Sequence, residues 1–332
     1  MTPPSSRPLS SSRSRRRVAN TLLAAFLGFA LGGLTEASAT PPTAEPEPEP
    51  PPTWRFRKAD KPVKVMVIAG SVGEWQREPY HAHFQDWCEN IELKNLSKTG
   101  YGAYQLRQRF MEQVVKNGYV NLRAPDTEYW VVFHGGLNSV AMPEKTNKEI
   151  RQLFLSAHQR GVSVVALTPG PWGDESDKRW RGIAGLDYKH DTQTIVDFEL
   201  GRLSPREALG RYVDARDEPD APWDPAELAD VAVDLYDSGM RDREAQPRDV
   251  AKMRRELEKS KGWAKRFAEL DELTRELAID EQAQRAAELP SWFMREELRA
   301  FDHIHPNEKG HREIAELACP QLPQSWGCSC PS

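Results

Sequence analysis

The sequence predicts an α/β fold built as three layers, α/β/α, around a parallel sheet of five strands. Short apolar runs of strand length alternate with longer segments of helical periodicity, which is the pattern of βαβ units. Turns that contain glycine, serine, threonine or asparagine follow several of these runs. In parallel sheets, ligands bind beyond the carboxyl ends of the strands. A chain of 332 residues is long enough to bury a sizeable core of this kind.

Each predicted strand is an apolar or β-branched run, and the runs lie at 64–69, 91–96, 129–133, 163–167 and 230–236. Helical patterns are predicted at 103–117 and 145–160. A charged helical stretch at about 247–289, with a break near 260–262, is interpreted as a hairpin packed on the domain, with a lid as the alternative. It lies in a helical insertion at about 239–298 of an otherwise flavodoxin-like arrangement.

The amino-terminal 39 residues are predicted to be a signal peptide. A basic region with Arg13, Arg15, Arg16 and Arg17 precedes a thirteen-residue apolar stretch at 22–34, and Ala37-Ser38-Ala39 fits a cleavage site. This stretch is shorter than the roughly 20 residues of a membrane span, although an uncleaved anchor is the alternative. We therefore expect an exported protein (periplasmic, cell-surface or secreted) with no transmembrane span after cleavage. The expected domains are the signal peptide 1–39, a Pro/Glu-rich disordered linker 40–62, the folded domain 63–322 and a cysteine-containing tail 323–332.

The charge balance argues against nucleic acid as a partner. The whole chain carries a formal charge of −5, and removal of residues 1–39, with five arginines and one glutamate, leaves −9. A nucleic-acid-binding domain would present a basic face. The sequence leaves the oligomeric state open.

The four cysteines of the chain are Cys88, Cys319, Cys328 and Cys330. An even number in an exported chain indicates two disulfides. Closure between Cys328 and Cys330 would make a strained ring. We expect Cys88 and Cys319 each to pair with one of the two tail cysteines, and a zinc site is the rival interpretation.

An acid and a histidine three residues apart, Asp302 and His305, precede a short amphipathic helix. A serine hydrolase needs a carboxylate to orient its general-base histidine, and this spacing supplies both groups from one turn. The candidate nucleophile is Ser71, which follows the first predicted strand. The predicted catalytic residues are therefore Ser71, Asp302 and His305.

Four stretches, in this order, resemble the conserved blocks of the SGNH (GDSL-like) serine hydrolase family. They are Ile68-Ala69-Gly70-Ser71, Asn95-Leu96-Ser97-Lys98-Thr99-Gly100, Gly135-Gly136-Leu137-Asn138 and Asp302-His303-Ile304-His305-Pro306-Asn307. The resemblance covers about residues 63–320 and implies an esterase that acts through an acyl-enzyme on an ester-bearing small molecule or glycan. No cofactor and no metal are implied.

The same resemblance implies an oxyanion hole made by the backbone N–H groups of Ser71 and Gly100 and the side chain of Asn138. Two departures from the family pattern are visible. Gly70 stands where the family has an aspartate, and Ser139 follows Asn138 where the family has another aspartate. Both can alter loop shape and substrate choice, and neither removes a catalytic group.

Several alternatives remain at this point. An α/β-hydrolase is disfavoured because its acid and histidine lie apart in sequence. An O-acyltransferase of the same fold, or a catalytically silent surface binding domain, is compatible with the blocks. Two metal sites are minor alternatives, one built from His81, His83 and Asp86 and the other from Asp302, His303, His305 and His311. Trp75, Trp172 and Trp292 are interpreted as core residues, with the wall of an acyl or sugar pocket as the alternative. Asn307 is interpreted as a helix cap, and His303 and His311 as bystanders.

Overall fold

The structure, a computed structural model, describes residues 61–121, 126–214 and 221–331. The predicted signal peptide and nearly all of the predicted linker lie outside these residues. Five parallel strands form one sheet in the order β2-β1-β3-β4-β5, which confirms the flavodoxin-like prediction. The strands are β1 (Val63–Ala69), β2 (Ile91–Asn95), β3 (Glu128–His134), β4 (Val162–Leu167) and β5 (Val231–Val233).

Helices cover both faces of the sheet. Their bounds are α1 (Tyr80–Trp87), α2 (Ala103–Arg109), α3 (Pro143–His158), α4 (Ala184–Glu199), α5 (Pro205–Leu209), α6 (Val250–Lys259), α7 (Lys261–Phe267), α8 (Glu272–Ala287) and α9 (Glu308–Ala318). Among the described residues, no helix has both the length and the apolar character needed to cross a membrane.

The sheet separates two apolar cores, and alternate side chains of β1 point into each. Val65 and Val67 pack with residues of α1 and α9 on one side. Met66 and Ile68 pack with residues of α2 and α3 on the other. Because both faces are buried, β1 is an unbroken apolar run, as is usual for a central parallel strand.

Two predicted elements are longer in the sequence pattern than in the structure. The fifth strand was expected at 230–236, but only Val231–Val233 pairs with β4. Beyond it, the N–H of Leu235 donates to the Thr168 hydroxyl (2.9 Å), because β4 has ended before Pro169. The helix expected at 103–117 is α-helical to Arg109 and continues as the π-helical segment Phe110–Lys116. Helix α4 was not predicted.

The helical insertion contains three helices, α6, α7 and α8, rather than a simple hairpin. Ser260 ends α6 and caps α7 by accepting the N–H of Trp263, which explains the break expected near 260–262. Met253 and Leu257 of α6 and Ala283 of α8 pack around Trp180 in a third apolar cluster. The insertion is thus fixed on the domain through its apolar stripe.

Two disulfides attach the carboxyl-terminal tail. Cys88 pairs with Cys328 and Cys319 pairs with Cys330. This confirms the expectation that each upstream cysteine pairs with one tail cysteine. The tail also contributes to one core, because Trp326 is fully buried and packs edge-on against Phe84 of α1 and Trp130 of β3.

Candidate active site

The predicted nucleophile and the predicted base meet at the carboxyl edge of the sheet. Ser71 lies just beyond β1, and its Oγ is 2.6 Å from His305 Nε2, although 234 positions separate the two residues. The carboxylate of Asp302 accepts the Nδ1–H of His305 at 2.6 Å. With Nδ1 protonated, Nε2 is free to accept the hydroxyl proton of Ser71, which is the tautomer that a general base requires.

Residues 302–305, called the acid–base turn below, fold around the Asp302 carboxylate. Its Oδ1 accepts the backbone N–H groups of Ile304 and His305, both at 3.0 Å. Burial raises the pKa of Asp302, but the backbone and side-chain hydrogen bonds from His305 and Ile304 outweigh burial and hold that pKa below its ordinary value. Asp302 therefore remains ionised beside the imidazole at neutral pH. Asn307 caps α9 as predicted, accepting the N–H of Gly310 at 3.0 Å.

Gly100 and Asn138 lie around the same cavity as Ser71. Gly100 has a φ of +79°, so any residue with a side chain would have a strained backbone there. The side of Gly100 on which a Cβ would stand faces open space. The amide of Asn138 donates one N–H to the carbonyl of Tyr101 (3.1 Å), which leaves a second N–H for another acceptor. A Cβ on Gly70 would stand 3.1 Å from this amide nitrogen, so Gly70 and Asn138 are closely packed.

Glu74 joins the loop after β1 to the loop after β2. Its carboxylate accepts the N–H of Thr99 (2.6 Å) and an ammonium N–H of Lys98 (3.1 Å). The hydrogen bonds from Thr99 hold the pKa of Glu74 at about 2. The carboxylate is therefore ionised in mild acid as well as at neutral pH, and it holds the residue before Gly100.

Two cavities open from Ser71 and His305. The inner cavity has a volume of about 250 Å³. Its lining is mainly apolar and includes Trp172, Met240, Met294 and Ile304, together with the charged side chain of Arg179. The outer cleft has a volume of about 830 Å³ and contains polar, charged and aromatic side chains, including Glu74, Trp75, Arg77, Phe301 and Lys309.

Aromatic and imidazole rings pack around the residues of the site. Trp75 stacks on the ring of His305 with centroids 5.8 Å apart, and Trp172 stacks on Trp180 at 5.6 Å. Trp75 and Trp172 therefore border the site as well as packing. His134 and His311 are buried behind the nucleophile, and burial lowers the pKa of His134 to about 4 and that of His311 to about 3.

The other residues singled out in the sequence have local roles. His81 bonds to the carbonyl of Gly73 at 3.1 Å, and Trp292 packs on Tyr236. Within residues 61–121, 126–214 and 221–331, no group of three or more His, Cys, Asp or Glu side chains is arranged to hold a metal ion. Sequence reasoning missed Asp174, which contacts the acid–base turn from the loop after β4. No spacing or motif distinguishes it from other loop acids.

Comparison with known proteins gives partial structural likenesses. No family model and no curated protein matches the chain. A lipase/acylhydrolase from Enterococcus faecalis is 11% identical, with 81% of this chain and 99% of that chain covered and a TM-score of 0.41. A variant of an acetyl-xylooligosaccharide esterase from Geobacillus stearothermophilus is 14% identical, with 83% and 100% covered and a TM-score of 0.40.

A protein from Slackia heliotrinireducens that is described as a candidate SGNH hydrolase is 14% identical, with 78% of this chain and 98% of that chain covered and a TM-score of 0.39. At such identities and TM-scores, nothing about catalysis follows from the likeness. The chain is similar to solved acyl hydrolases and to a candidate SGNH hydrolase.

Proposed function

We propose that the protein is an exported SGNH-type serine esterase in which Ser71 is the nucleophile, His305 the general base and Asp302 the orienting carboxylate. One observation carries the proposal. An unbroken hydrogen-bond chain runs from Ser71 Oγ through both ring nitrogens of His305 to an ionised carboxylate, with 2.6 Å at each step. Ser71 and His305 line a cavity large enough for an acyl group.

In the first half of the reaction, Ser71 Oγ attacks the ester carbonyl while His305 Nε2 takes the hydroxyl proton. The backbone N–H groups of Ser71 and Gly100 and the free N–H of Asn138 would receive the negative oxygen of the tetrahedral intermediate. The imidazolium then returns its proton to the alcohol oxygen as the C–O bond breaks. In the second half, water loses a proton to His305 and attacks the acyl-enzyme. The bond between the acyl carbon and Ser71 Oγ then breaks, and the imidazolium returns its proton to Ser71 Oγ as the acid leaves.

The two cavities favour a short acyl group on a polar alcohol, such as an O-acyl group on a glycan, over a small lipid ester. The inner cavity holds the Gly100 and Asn138 donors, and its other lining side chains are mostly apolar, with Arg179 as a charged exception, so it suits a short acyl group. The outer cleft contains ionised Glu74 as well as Arg77 and Lys309. A long alkyl chain there would remove water from these groups without replacing their hydrogen bonds, whereas a sugar supplies hydroxyls.

Phe301 tests this assignment, because it is 88% exposed on the wall of the outer cleft. A sugar ring can stack its apolar face on an exposed aromatic side chain. We expect Phe301→Ala to lower kcat/KM roughly tenfold for acetylated cellobiose and to leave p-nitrophenyl acetate hydrolysis unchanged. Leu273→Ala, at a 72% exposed site on α8, is the control. Loss of activity on octyl acetate instead would identify the alcohol as a lipid.

Labelling by a fluorophosphonate probe tests the serine mechanism itself. We expect the wild-type protein to be labelled at Ser71, as located by peptide mapping, because the hydroxyl is hydrogen-bonded to His305. Ser71→Ala should remain unlabelled, and activity should survive EDTA. An unlabelled wild-type protein with a native fold would instead support a silent binding domain.

An O-acyltransferase remains the second candidate, because the open outer cleft has room for a sugar hydroxyl in place of the attacking water. Product analysis with excess acceptor separates the two activities. Export is supported by the two disulfides, which form in oxidising compartments. Intact-mass measurement of the protein recovered from its native compartment would show whether residues 1–39 are removed.

A further inference from the structure

The loop after β4 is in direct contact with the acid–base turn. Gly173 lies against this turn so closely that an added Cβ would overlap the carbonyl group of His303 and stand 2.9 Å from Ile304 Cα. On its other side, the same loop is fixed by the N–H of Met294, which donates to the Trp172 carbonyl at 2.6 Å. The loop therefore has a defined position relative to the turn.

The carboxylate of Asp174 binds the turn and the segment before it. Its Oδ2 accepts Nδ1–H of His303 at 3.0 Å and an N–H of Arg299 at 3.2 Å. Burial raises the pKa of Asp174, but hydrogen bonds from Ser176, the charge of Arg299 and the hydrogen bond from His303 outweigh burial and lower it. Asp174 is thus an ionised acceptor that connects Arg299 to the acid–base turn at His303.

His303 has a backbone conformation that is unusual for its residue type. Its φ is +58°, in the left-handed region that glycine adopts most easily. Its side chain is 58% exposed, so burial does not account for the choice of histidine. What the imidazole contributes is the hydrogen bond to Asp174. A left-handed residue held by a specific partner is a common feature of functional sites.

We infer that Asp174 and His303 are positioning residues that hold the acid–base turn against Ser71. The inference rests on the proposed esterase function. The turn is already anchored at its far end, where the N–H of Ala300 donates to the His305 carbonyl at 2.8 Å. The bond between Asp174 and His303 fixes its near end, next to Asp302. Both ends must be fixed if the imidazole is to stay within hydrogen-bond reach of Ser71 Oγ during turnover.

The same loop connects the turn to the inner cavity. Trp172 lies in the wall of that cavity, two residues before Asp174. The contacts of Gly173 and Asp174 with the turn therefore fix the position of Trp172 in the cavity wall relative to the general base.

His303→Gly separates positioning from a purely structural role. Glycine relieves the left-handed strain, so the melting temperature should be unchanged or higher. Loss of the imidazole should nevertheless lower kcat roughly tenfold with KM unchanged, because a base displaced by a fraction of an ångström transfers protons less well. Asp174→Asn should have a similar effect. The double variant should be no worse than Asp174→Asn alone, since His303 acts through its hydrogen bond to Asp174.

Glu175→Gln is the matched control, because Glu175 is the next acid of the loop and pairs with Arg248 (2.6 Å) rather than with the turn. Its kcat should equal that of the wild type. Wild-type kcat in His303→Gly, or additive losses in the double variant, would overturn the inference.

An activity-independent measurement separates this inference from the proposed function. The proton between His305 Nδ1 and Asp302 should give a far-downfield NMR signal in the wild type, which broadens in His303→Gly and Asp174→Asn. An inactive, unlabelled wild type would refute the esterase, whereas an unchanged proton signal in both variants would refute the positioning role. Each result can occur without the other.

Discussion

Replacing Ser71 with alanine is expected to lower kcat for p-nitrophenyl acetate by roughly a hundredfold or more, with the fold intact. The variant loses the only atom that can form the acyl-enzyme under the proposed mechanism. His305→Ala should lower kcat to a similar extent, because Nε2 is the proton acceptor 2.6 Å from Ser71 Oγ. Steady-state kinetics and circular dichroism on each variant test both statements.

Combined variants sharpen this prediction. Residues that act as one unit show non-additive losses, so Ser71→Ala/His305→Ala should be about as slow as either single variant. Asp302→Asn should keep the shape of the turn but allow the wrong tautomer of His305, with a loss of roughly 10³-fold to 10⁴-fold in kcat. Ser329→Ala, outside both cavities, is the control. Equal rates for Ser71→Ala and the wild type would exclude the serine mechanism.

Acid should destabilise the protein steeply because His134 and His311 are buried as neutral imidazoles, 6% and 0% exposed. Burial is the main reason that the pKa of each is low, and neighbouring histidines lower that of His311 further. Below the ordinary value of 6.5, the unfolded chain binds protons that the folded chain does not. The stabilisation is therefore complete above about pH 6.5 and is lost as the pH falls towards 4.

The size of the effect follows from proton linkage. Each such histidine should contribute about 1.4 kcal/mol per pH unit to the slope of the unfolding free energy between roughly pH 6 and 4.5, or about 2.7 kcal/mol per unit for both. Urea unfolding at several pH values measures this slope. His134→Gln and His311→Gln should each reduce it by about half of that amount, whatever they do to stability at pH 7.

His158 provides the control for the sign of this effect. Burial lowers its pKa, but hydrogen bonds to Asp230 and Ala226 and nearby carboxylates outweigh burial, so its pKa lies above the ordinary value. The stabilisation it gives is present below about pH 6.5 and is lost as the pH rises through its folded-state pKa. His158→Gln should therefore leave the slope between pH 6 and 4.5 unchanged. An unchanged slope in His134→Gln would contradict the assignment of a neutral buried imidazole.

Much of the fold could be read from local sequence patterns. The apolar runs of β1, β3 and β4 are recognisable because a parallel strand buried on both faces needs continuous apolar residues. The predicted ends of elements were less accurate where hydrogen bonds to side chains replace the backbone hydrogen bonds of the sheet. β5 is short because Thr168 and Pro169 end the pairing edge, and α2 changes to a π-helix at Phe110, which periodicity does not reveal.

The sequence by itself determined the chemistry of the candidate site. Asp302 and His305 lie within one turn, so their spacing is already informative, and Ser71 follows an apolar run whose end marks the ligand-binding edge of a sheet. The two tail disulfides were expected for a similar reason, since ring strain excludes the local alternative. In each case the prediction rests on residues that are close in sequence or on the direction of a strand.

Only the tertiary structure decided which distant groups support that chemistry. The bond between Asp174 and His303 spans 129 positions, and Asp174 belongs to no recognisable motif. The outer cleft, the pairing of Cys88 with Cys328 and the burial of His134 and His311 likewise depend on how loops and helices pack. Periodicity reports which face of an element is apolar, but it carries no information on which side chains of separate elements come within hydrogen-bond distance.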